Sequence, residues 1–525
     1  MTSIFNFNIK TLDSLLKLYG IEKTWKSILA THLKNKDRFA YILKDNSFKD
    51  HEIIESDLID GLTVGEIGVL YEYSLTRRNV ESRKSNGQFF TPDDVADFMA
   101  SYSKKFGEGI WLDPCSGIGN LSWHLVAAQK NPEKFLKENL ILSDKDSLAL
   151  LIARTLLTVS FQEKCPKLFI DIESKFKVFD FLSVADSGEL ELFDSSNSLE
   201  SIPKHDFVIV NPPYLATQAD VRFECSKAGD LFAYFLENII KSSRGFISIT
   251  PQSFTNAGKF GSLRKLLLSR YKNLTIFCFD NVPANIFKGI KFGSKNSNQV
   301  NSIRASIMVA IEGPGKRRIS PLIRWKSSER EILFKESKKH LSEVPLSEDF
   351  FPKVGKDYEE LFTSSINFER IGNLVSLGKT KFVLYIPSAP RYFIPALKKS
   401  VKRASQKTVY FKSAEDRDRA YLLINSSFMY WWWRVRDGGM TLSLETILSC
   451  PIPPFKVNAK LVNRLEKSEL ENKVYKQNAG AAQENVKHPK SLIKLVNKWV
   501  IPEYEVLLID IHDNSDITSK RSRIN

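Results

Sequence analysis

The sequence predicts an α/β fold with a doubly wound, mostly parallel, Rossmann-like sheet of seven strands. The first observation is that short apolar runs alternate with helical patterns from residue 110 to 311, as in sheets covered by helices on both faces. The second is a glycine-rich turn directly after the first run, and the third is an acidic residue, Asp144, at the end of the next. The predicted strands are IWLD, NLILSD, KVFDF, DFVIVN, GFISIT, NLTIFCFD and IRASIMVAI.

The two last runs of this sheet, NLTIFCFD and IRASIMVAI, are separated by a segment without a helical pattern. We therefore expect them to pair antiparallel at the end of the sheet. The acidic, serine-rich segment 185–202 predicts a surface loop.

Length and charge limit the class of protein. A chain of 525 residues is long enough for several cores, and its formal net charge of +15 favours a polyanionic partner such as nucleic acid. The five cysteines form no CxxC pair, which argues against a disulfide framework or a zinc site and predicts a reducing cytoplasm. We expect neither export nor a membrane span, because the sequence has no leader pattern and no run of about 18 apolar residues.

Four regions are predicted along the chain. Residues 1–85 carry helical faces, such as Leu12, Leu15, Leu16 and Tyr19, and residues 86–315 contain the α/β sheet. After GPGKRR the alternation stops, so a second domain is expected over 316–455. Residues 456–525 predict a basic helical appendage with a polar breaker, KQNAGAAQENVKHPK.

The segment TPDDVADFM predicts the start of a helix just before the sheet. Thr91 is expected to cap this helix, with Pro92 at its first position and Asp94 completing a capping-box pattern.

Three strand ends carry side chains that suit a nucleotide-like cofactor. The first strand ends at Asp113 and leads into a turn with Gly117 and Gly119, which lets a ligand approach the backbone closely. Asp144, 25 residues beyond Gly119, suits ribose hydroxyls, although it could also only cap the next helix. A tight turn without a ligand stays open, whereas a nicotinamide site is disfavoured because Ser122 replaces the third glycine.

The third strand adds a carboxylate, Asp180, that can accept from an exocyclic amine. The adjacent ring of Phe181 can stack on a purine.

The fourth strand ends in the sequence NPPY, from Asn211 to Tyr214. Two prolines make the turn rigid and direct carbonyl oxygens outward, while Asn211 adds a side-chain acceptor and Tyr214 an aromatic plane. Two acceptors on the N–H groups of a planar amine would free its delocalised lone pair for attack, and stacking would hold its plane. This turn is the strongest functional prediction in the sequence.

Together these motifs resemble the amino-group DNA methyltransferases that use S-adenosylmethionine, specifically the gamma-class adenine-N6 enzymes. The resemblance covers residues 65–311 well and 370–455 weakly, and it extends to type I modification subunits and single-chain type II modification enzymes. It implies a cytoplasmic, site-specific DNA-methyltransferase (adenine-specific) of a restriction-modification or related system. Residues 86–315 would then be catalytic, and residues 316–455 would recognise the target in double-stranded DNA.

The resemblance assigns a role to each matching residue. GQFFTP looks like the segment that closes over the methionine end of the cofactor. Asn211, Pro212, Pro213 and Tyr214 match the catalytic motif, and Phe287 matches the ring that holds the other face of a flipped adenine. The expected cofactor-binding residues are Gln88, Phe90, Thr91, Pro92, Asp113, Cys115, Ser116, Gly117, Asp144, Asp180 and Phe181.

The sequence AYLLINSSFMYWWWRVRDGG resembles a recognition-domain pattern. Three successive tryptophans, Trp431 to Trp433, are not expected to face one core together, so one could contact DNA or another domain. Packing of a small domain is nevertheless the favoured interpretation. Arg434 and Arg436 are candidates for contacts with phosphate or guanine.

Several alternatives remain. NPPY also occurs in enzymes that methylate release-factor glutamine or RNA guanine, and cytosine-N4 methylation needs the same acceptor geometry. A modification subunit that depends on a restriction or specificity partner is a third class; otherwise we expect a self-sufficient monomer. We predict direct methyl transfer without a metal and without DNA cleavage, since no clustered nuclease motif is evident.

Overall fold

The computed structural model describes residues 3–78, 91–183, 202–287, 303–390, 393–403, 405–437, 439, 441–478, 481–504, 508, 512 and 515–517. The chain divides into two compact units. The first comprises residues 1–276, 285–316 and 347–349, and the second comprises residues 277–284, 317–346 and 350–525. Among the described helices, none combines the length and apolar character needed to cross a lipid bilayer.

An eight-stranded sheet positions the main cleft. Its strands follow the order β3-β2-β1-β4-β5-β7-β6-β8. Strand β1 lies between β2 and β4 and is parallel to both; β3 and β5 continue the parallel pattern, whereas β7 is antiparallel to β5. The strands are β1 Trp111–Asp113, β2 Leu140–Asp144, β3 Phe176–Val178, β4 Phe207–Val210, β5 Gly245–Pro251, β6 Asn273–Phe279, β7 Ala305–Ile311 and β8 Arg317–Ile323.

The mostly parallel sheet confirms the predicted fold class, but the strand count of seven is wrong. Strand β8 was missed because it begins in a basic stretch and contains Pro321, a residue that interrupts a strand pattern. The expected neighbours β6 and β7 are adjacent, yet they do not end the sheet because β8 lies outside β6. The predicted loop at 185–202 lies outside the described residues, except for Ile202.

Helices of the first unit cover the sheet and form an N-terminal layer. Leu12 is buried in one apolar cluster with residues of the second helix, and Leu15 and Leu16 pack partly buried against it, whereas Tyr19 of the predicted face lies outside the cluster. Gly20, with φ of 75°, interrupts the first helix. The helices are α1 Ser3–Lys34, α2 Val64–Arg78, α3 Asp93–Ser101, α4 Asn120–Ala127, α5 Pro132–Glu138, α6 Ser147–Phe161, α7 Leu168–Asp171, α8 Leu231–Ser242 and α9 Gly261–Arg270.

The start of α3 differs from the predicted cap. Pro92 holds the N-cap position with extended backbone, and the helix begins at Asp93 without a side-chain cap. The Thr91 hydroxyl instead accepts a hydrogen bond from the Asn211 amide at 3.0 Å. The capping-box prediction is therefore wrong, because a long-range contact takes the hydroxyl that a local cap would have used.

The second unit combines short helices with two antiparallel hairpins. The helices are α10 Arg330–Ser337, α11 Glu359–Ser365, α12 Ile371–Leu374, α13 Ala414–Ile424, α14 Ser427–Arg436, α15 Leu444–Leu448, α16 Ala459–Glu471 and α17 Lys490–Val500. The hairpin strands are β9 Val383–Pro387 with β10 Gln406–Tyr410, and β11 Lys473–Asn478 with β12 Ala481–Val486. The second hairpin lies at the predicted polar breaker and separates helices α16 and α17.

Helix α14 lies inside the second unit, and every residue from Ser427 to Val435 is buried. Trp431, Trp432 and Trp433 are each at most 3% exposed, so packing, the favoured interpretation, is confirmed. The three rings have different neighbours, as expected for successive residues of a helix, but α14 is enclosed and all three are buried, so the alternative that one contacts DNA is wrong.

Arg434 does not reach the surface. Its guanidinium forms an ion pair with Asp280 at 3.2 Å, and it donates to the Leu322 carbonyl. The prediction that Arg434 contacts DNA is wrong, because this buried cation already has protein partners. Arg436 is partly exposed, pairs with Glu445 at 2.7 Å, and its role in DNA contact stays a prediction.

Candidate functional site

A cleft of about 1020 Å³ opens at the carboxyl ends of β1, β2, β3 and β4. Parallel strands deliver their last residues to one edge of a sheet, which is where doubly wound folds bind ligands. Residues from all four strand ends line the cleft, together with Thr91 before α3 and Tyr234 on α8. All these residues belong to the first unit.

The turn after β1 brings backbone close to the cleft. Gly117 and Gly119 have φ of 52° and 83°, a region that favours glycine. A Cβ on Gly119 would come within 3.0 Å of the Ala153 Cβ on α6, so this glycine also permits close packing of the turn. The Gly117 N–H donates to Asp144 Oδ2 at 2.8 Å, which joins the ends of β1 and β2.

Two buried carboxyl groups lie beside this turn. Asp144 Oδ1 accepts the Asp146 N–H at 3.0 Å, and burial raises the pKa of Asp144. Asp113 is 1% exposed; its Oδ2 accepts the Ser122 hydroxyl at 2.9 Å, while its Oδ1 has no hydrogen-bond partner within the described residues. Burial raises the pKa of Asp113 to about 7, despite the opposing Ser122 hydrogen bond, with a further contribution from Asp144. The cleft floor thus holds a carboxyl that changes charge near neutral pH.

Asp180 and Phe181 follow β3 and line the same cleft. Asp180 forms an ion pair with Lys145 at 2.6 Å. Phe181 is buried and stacks on Phe235 of α8, with ring centroids 5.2 Å apart at 26°. The structure therefore places the predicted pair on the cleft wall, with Phe181 supported from behind by a second ring.

The turn after β4 fixes the orientation of the Asn211 side chain. Its amide nitrogen donates to the Thr91 hydroxyl at 3.0 Å, and its Oδ1 accepts from the Tyr214 hydroxyl at 2.6 Å. The same hydroxyl lies 2.9 Å from the Ile249 carbonyl, so its one proton is shared by two acceptors. Since a carbonyl oxygen has two lone pairs, Asn211 Oδ1 can accept a second donor.

Backbone carbonyls around the two prolines add further acceptors. The Asn211 carbonyl accepts from the Cys115 thiol, with Sγ and O 3.2 Å apart. Burial, with Asp113 and Asp144 nearby, raises the pKa of this thiol well above its usual value, so Cys115 stays a donor. In the described part of the chain, the Pro212 carbonyl accepts no hydrogen bond. The turn therefore has a carbonyl acceptor available next to the Asn211 amide.

Tyr214 and Phe287 are in contact, with ring centroids 6.0 Å apart at 63°. This edge-on arrangement differs from the two parallel faces that would hold a base between them. Phe287 is 3% exposed. The structure thus brings the two predicted rings together, but in a geometry that would have to open to admit a base.

Two contributors to the site escaped the sequence analysis. Asn120, the first residue of α4, donates to the Thr91 carbonyl at 2.7 Å, so a chain of hydrogen bonds links Asn120, Thr91, Asn211 and Tyr214. The residue after Asp144, Lys145, pairs with Asp180. Asn120 follows the glycine turn and Lys145 follows Asp144, so each lies directly beside a motif that the sequence analysis identified. This position was the feature of the sequence that could have pointed to them. The predicted residues Gln88 and Phe90 lie outside the described residues.

The doubly wound sheet, with a glycine turn after β1, an acid after β2 and an acceptor-rich turn after β4, is the arrangement that the resemblance to amino-group DNA methyltransferases implies. Family models agree with this class. Residues 64–153 match the N-6 DNA Methylase family, and residues 138–287 match the Eco57I restriction-modification methylase family. The resemblance to N6-adenine DNA methyltransferases is thereby confirmed for the segment from 64 to 287.

Individual proteins also match part of the chain. The type II methyltransferase M.BsuBI of Bacillus subtilis is 27% identical over 206 residues, 36% of this chain and 38% of that protein. The type II methyltransferase M.PstI of Providencia stuartii is 25% identical over 197 residues, 35% and 37% of the two chains. The match spans about two fifths of the length of each relative. A structure of the type I restriction-modification methyltransferase subunit from Streptococcus thermophilus aligns at 17% identity over 60% of this chain and 65% of that chain, with a TM-score of 0.35.

Proposed function

We propose that this protein methylates the exocyclic N6 amine of adenine at specific sites in double-stranded DNA, using S-adenosylmethionine. The observation that carries the proposal is the Asn211 amide, which lines a cleft formed by four strand ends and is held by hydrogen bonds with Thr91 and Tyr214. The matched family models and the two relatives named as type II methyltransferases support the same reaction. The match to the Eco57I restriction-modification methylase family supports a role in a restriction-modification or related system.

The residues around the glycine turn fit the proposed cofactor. Gly117 and Gly119 leave room for close approach, and Asp144 is buried at the position expected for ribose hydroxyls. Asp180 and Phe181 would take the adenine end, and Thr91 would line the methionine end. When bound, S-adenosylmethionine supplies a methyl group on a positively charged sulfur.

The turn after β4 would activate the target amine. Asn211 Oδ1 and the Pro212 carbonyl would each accept one N–H of the amine, which orients its lone pair toward the methyl group. The N–C bond then forms as the S–C bond breaks, and the extra proton of the amine leaves to water. The Tyr214 hydroxyl, whose pKa is raised by burial and by Cys115 and Asp230, stays protonated and keeps donating to Asn211 Oδ1 or Ile249.

Adenine in a duplex is paired and stacked, so the base has to leave the helix to enter this cleft. The ring of Tyr214 would then support one face of the extruded base. For Phe287 to support the other face, the present edge contact at 6.0 Å has to open. We propose that this opening accompanies base entry.

The test is to identify the methylated product. The purified chain is incubated with tritiated S-adenosylmethionine and unmethylated genomic DNA, which is then digested to nucleosides. We expect N6-methyladenine from the wild type, its loss in Asn211→Ala and Tyr214→Ala, and its retention in Asn46→Ala, an exposed asparagine that does not line the cleft.

Other outcomes would revise the proposal in defined ways. Label on N4-methylcytosine would keep the mechanism and change the base. Cofactor binding without DNA label, restored by cell extract, would show that a specificity or restriction subunit is required. Label on RNA or protein alone would overturn DNA as the substrate.

A further inference from the structure

The positive charge of the second unit is concentrated in one segment, residues 371–412. This segment contains nine lysines and arginines and not one aspartate or glutamate, within a chain whose formal net charge is +15. Most charged surfaces mix both signs, and short basic runs are usually only solvated. Forty-two consecutive residues without an acid form a surface from which local ion pairing has been removed.

The contacts of these cations agree with the composition. Among the basic residues of the segment that the structure describes, only Lys398 forms an ion pair, with Asp418 and Glu466. Within the described part of the segment, the exposed lysines whose ammonium groups form neither an ion pair nor a hydrogen bond are Lys379, Lys381, Lys399 and Lys402; Lys412 donates to the Asn373 carbonyl at 2.6 Å. The ammonium groups of the other four therefore remain available for an anionic partner.

The hairpin β9–β10 gives this charge a rigid support. Leu384, Ile386 and Val409 are buried on one face, which anchors the hairpin to its unit. Cross-strand partners share a face, so Tyr385 lies beside Thr408 on the opposite face. Hydroxyl groups of Tyr and Thr are common donors to phosphate oxygens, and Lys provides the accompanying charge.

A loop, residues 376–382, projects from one end of the hairpin. Its ends are held by the Ser376 N–H on the Tyr410 carbonyl at 2.8 Å, and by the Phe411 N–H on the Phe382 carbonyl at 2.8 Å. Leu377 lies in this loop, fully exposed at 109%. An exposed apolar side chain in the same loop as Lys379 and Lys381 is suited to contact with base edges or a base step in a DNA groove.

We infer that the hairpin β9–β10 with the loop 376–382 is a docking surface for double-stranded DNA. Lys379, Lys381, Lys399 and Lys402 neutralise backbone phosphates, and Leu377 enters a groove. The inference rests on the proposed function and adds to it the element that binds the duplex. It also assigns the DNA contact to these residues and not to Arg434, which is buried in an ion pair.

The test uses charge removal and salt dependence. The probe is a duplex of about 30 base pairs, roughly three helical turns. Its affinity is measured over a series of salt concentrations for two variants, Lys379→Gln/Lys381→Gln and Lys399→Gln/Lys402→Gln. Because each neutralised phosphate contributes about 0.9 to the slope of log K against log salt, each variant is expected to lower that slope by about 2. The matched control is Lys460→Gln/Lys467→Gln, two exposed lysines of the same unit outside the segment, which should keep the wild-type slope.

The outcomes separate this inference from the proposed function. If the wild type neither binds nor methylates DNA, the proposed function fails. If the wild type does both while the two hairpin variants keep its slope and affinity, the docking surface is wrong. Equal loss of binding to poly-glutamate and to duplex would identify a general polyanion surface and overturn the DNA assignment. Leu377→Ala should lower methylation of specific sites several-fold without changing the salt slope, and a changed slope would contradict groove entry.

Discussion

The turn after β4 and helix α14 each bring aromatic and polar residues together within a few positions, yet they use them in opposite ways. In the turn, Asn211 lines the cleft, and hydrogen bonds with two partners, Thr91 and Tyr214, fix its amide. In α14, the tryptophans and Arg434 are buried, and the Arg434 guanidinium, a predicted phosphate contact, is paired with Asp280. The turn after β4 provides polar groups at a ligand cleft, whereas α14 packs the core of its unit.

The difference follows from where each segment lies in its unit. A turn at the carboxyl end of a parallel strand is exposed on the side that binds ligands, so its acceptors stay accessible. A helix enclosed on every side has no such edge, and its polar atoms must find partners within the protein. A cluster of aromatic and polar residues in the sequence therefore indicates a binding site only when the fold places it at an accessible edge.

The largest expected effect belongs to α14. Trp431 is 2% exposed and contacts Phe428 and Tyr358, with ring centroids 5.2 and 6.0 Å away. Trp431→Ala should lower the free energy of unfolding by about 3–5 kcal/mol, since a large cavity replaces the ring. Denaturant unfolding measures this loss. The control is Trp499→Ala, which removes an indole that is 45% exposed and should lower the free energy of unfolding by about 1 kcal/mol. Equal losses from both would show that α14 is not the core described here.

Asn211→Ala should lower the rate of methylation and leave stability nearly unchanged, in contrast to Trp431→Ala. Removing one fixed polar group at a reacting centre typically lowers kcat by about 10²–10³. The side chain is partly exposed, so the midpoint of thermal unfolding should stay near that of the wild type. Single-turnover methylation and calorimetry on the same preparation measure the two quantities. A large loss of stability with an unchanged rate would place Asn211 with the structural residues.

Much of the sheet could be predicted because its strands are continuous apolar runs that end at turn residues, as Phe207–Val210 does before Asn211. Strand β8 could not be predicted, since Pro321 and the basic residues at its start interrupt the apolar run. The hairpin β11–β12 was missed for a related reason: its polar residues depend on pairing with each other, which no local pattern encodes.

For the site, the sequence identified the strand-end residues because each follows a strand directly. It could not identify what the Thr91 hydroxyl binds, since the contact with Asn211 joins residues 120 positions apart. A local cap was the natural prediction for a threonine before Pro92. In the folded chain the donor to the Thr91 hydroxyl is the Asn211 amide.

The Asp113 carboxyl should make stability depend on pH. Its pKa is raised to about 7 in the folded protein, against about 3.9 for an unfolded Asp. Between these values the folded state keeps a proton that the unfolded state has lost, so this group lowers stability as pH rises, by up to about 1.4 kcal/mol per pH unit. Asp113→Asn keeps an acceptor for Ser122 without the titration, and should flatten the fall in unfolding temperature between pH 5 and 7. Parallel profiles for the two proteins would contradict the raised pKa.

Thr91→Val tests how far the Asn211 orientation depends on its neighbour. Valine keeps the shape of threonine but removes the hydroxyl that accepts the Asn211 amide at 3.0 Å. We expect kcat to fall about tenfold, which corresponds to about 1.4 kcal/mol, with cofactor affinity and the KM for DNA nearly unchanged. Thr91→Ser, which retains the hydroxyl, should restore most of the rate. If the valine variant instead loses cofactor affinity at constant kcat, Thr91 acts as a cofactor ligand alone, and Asn211 is oriented without it by Tyr214.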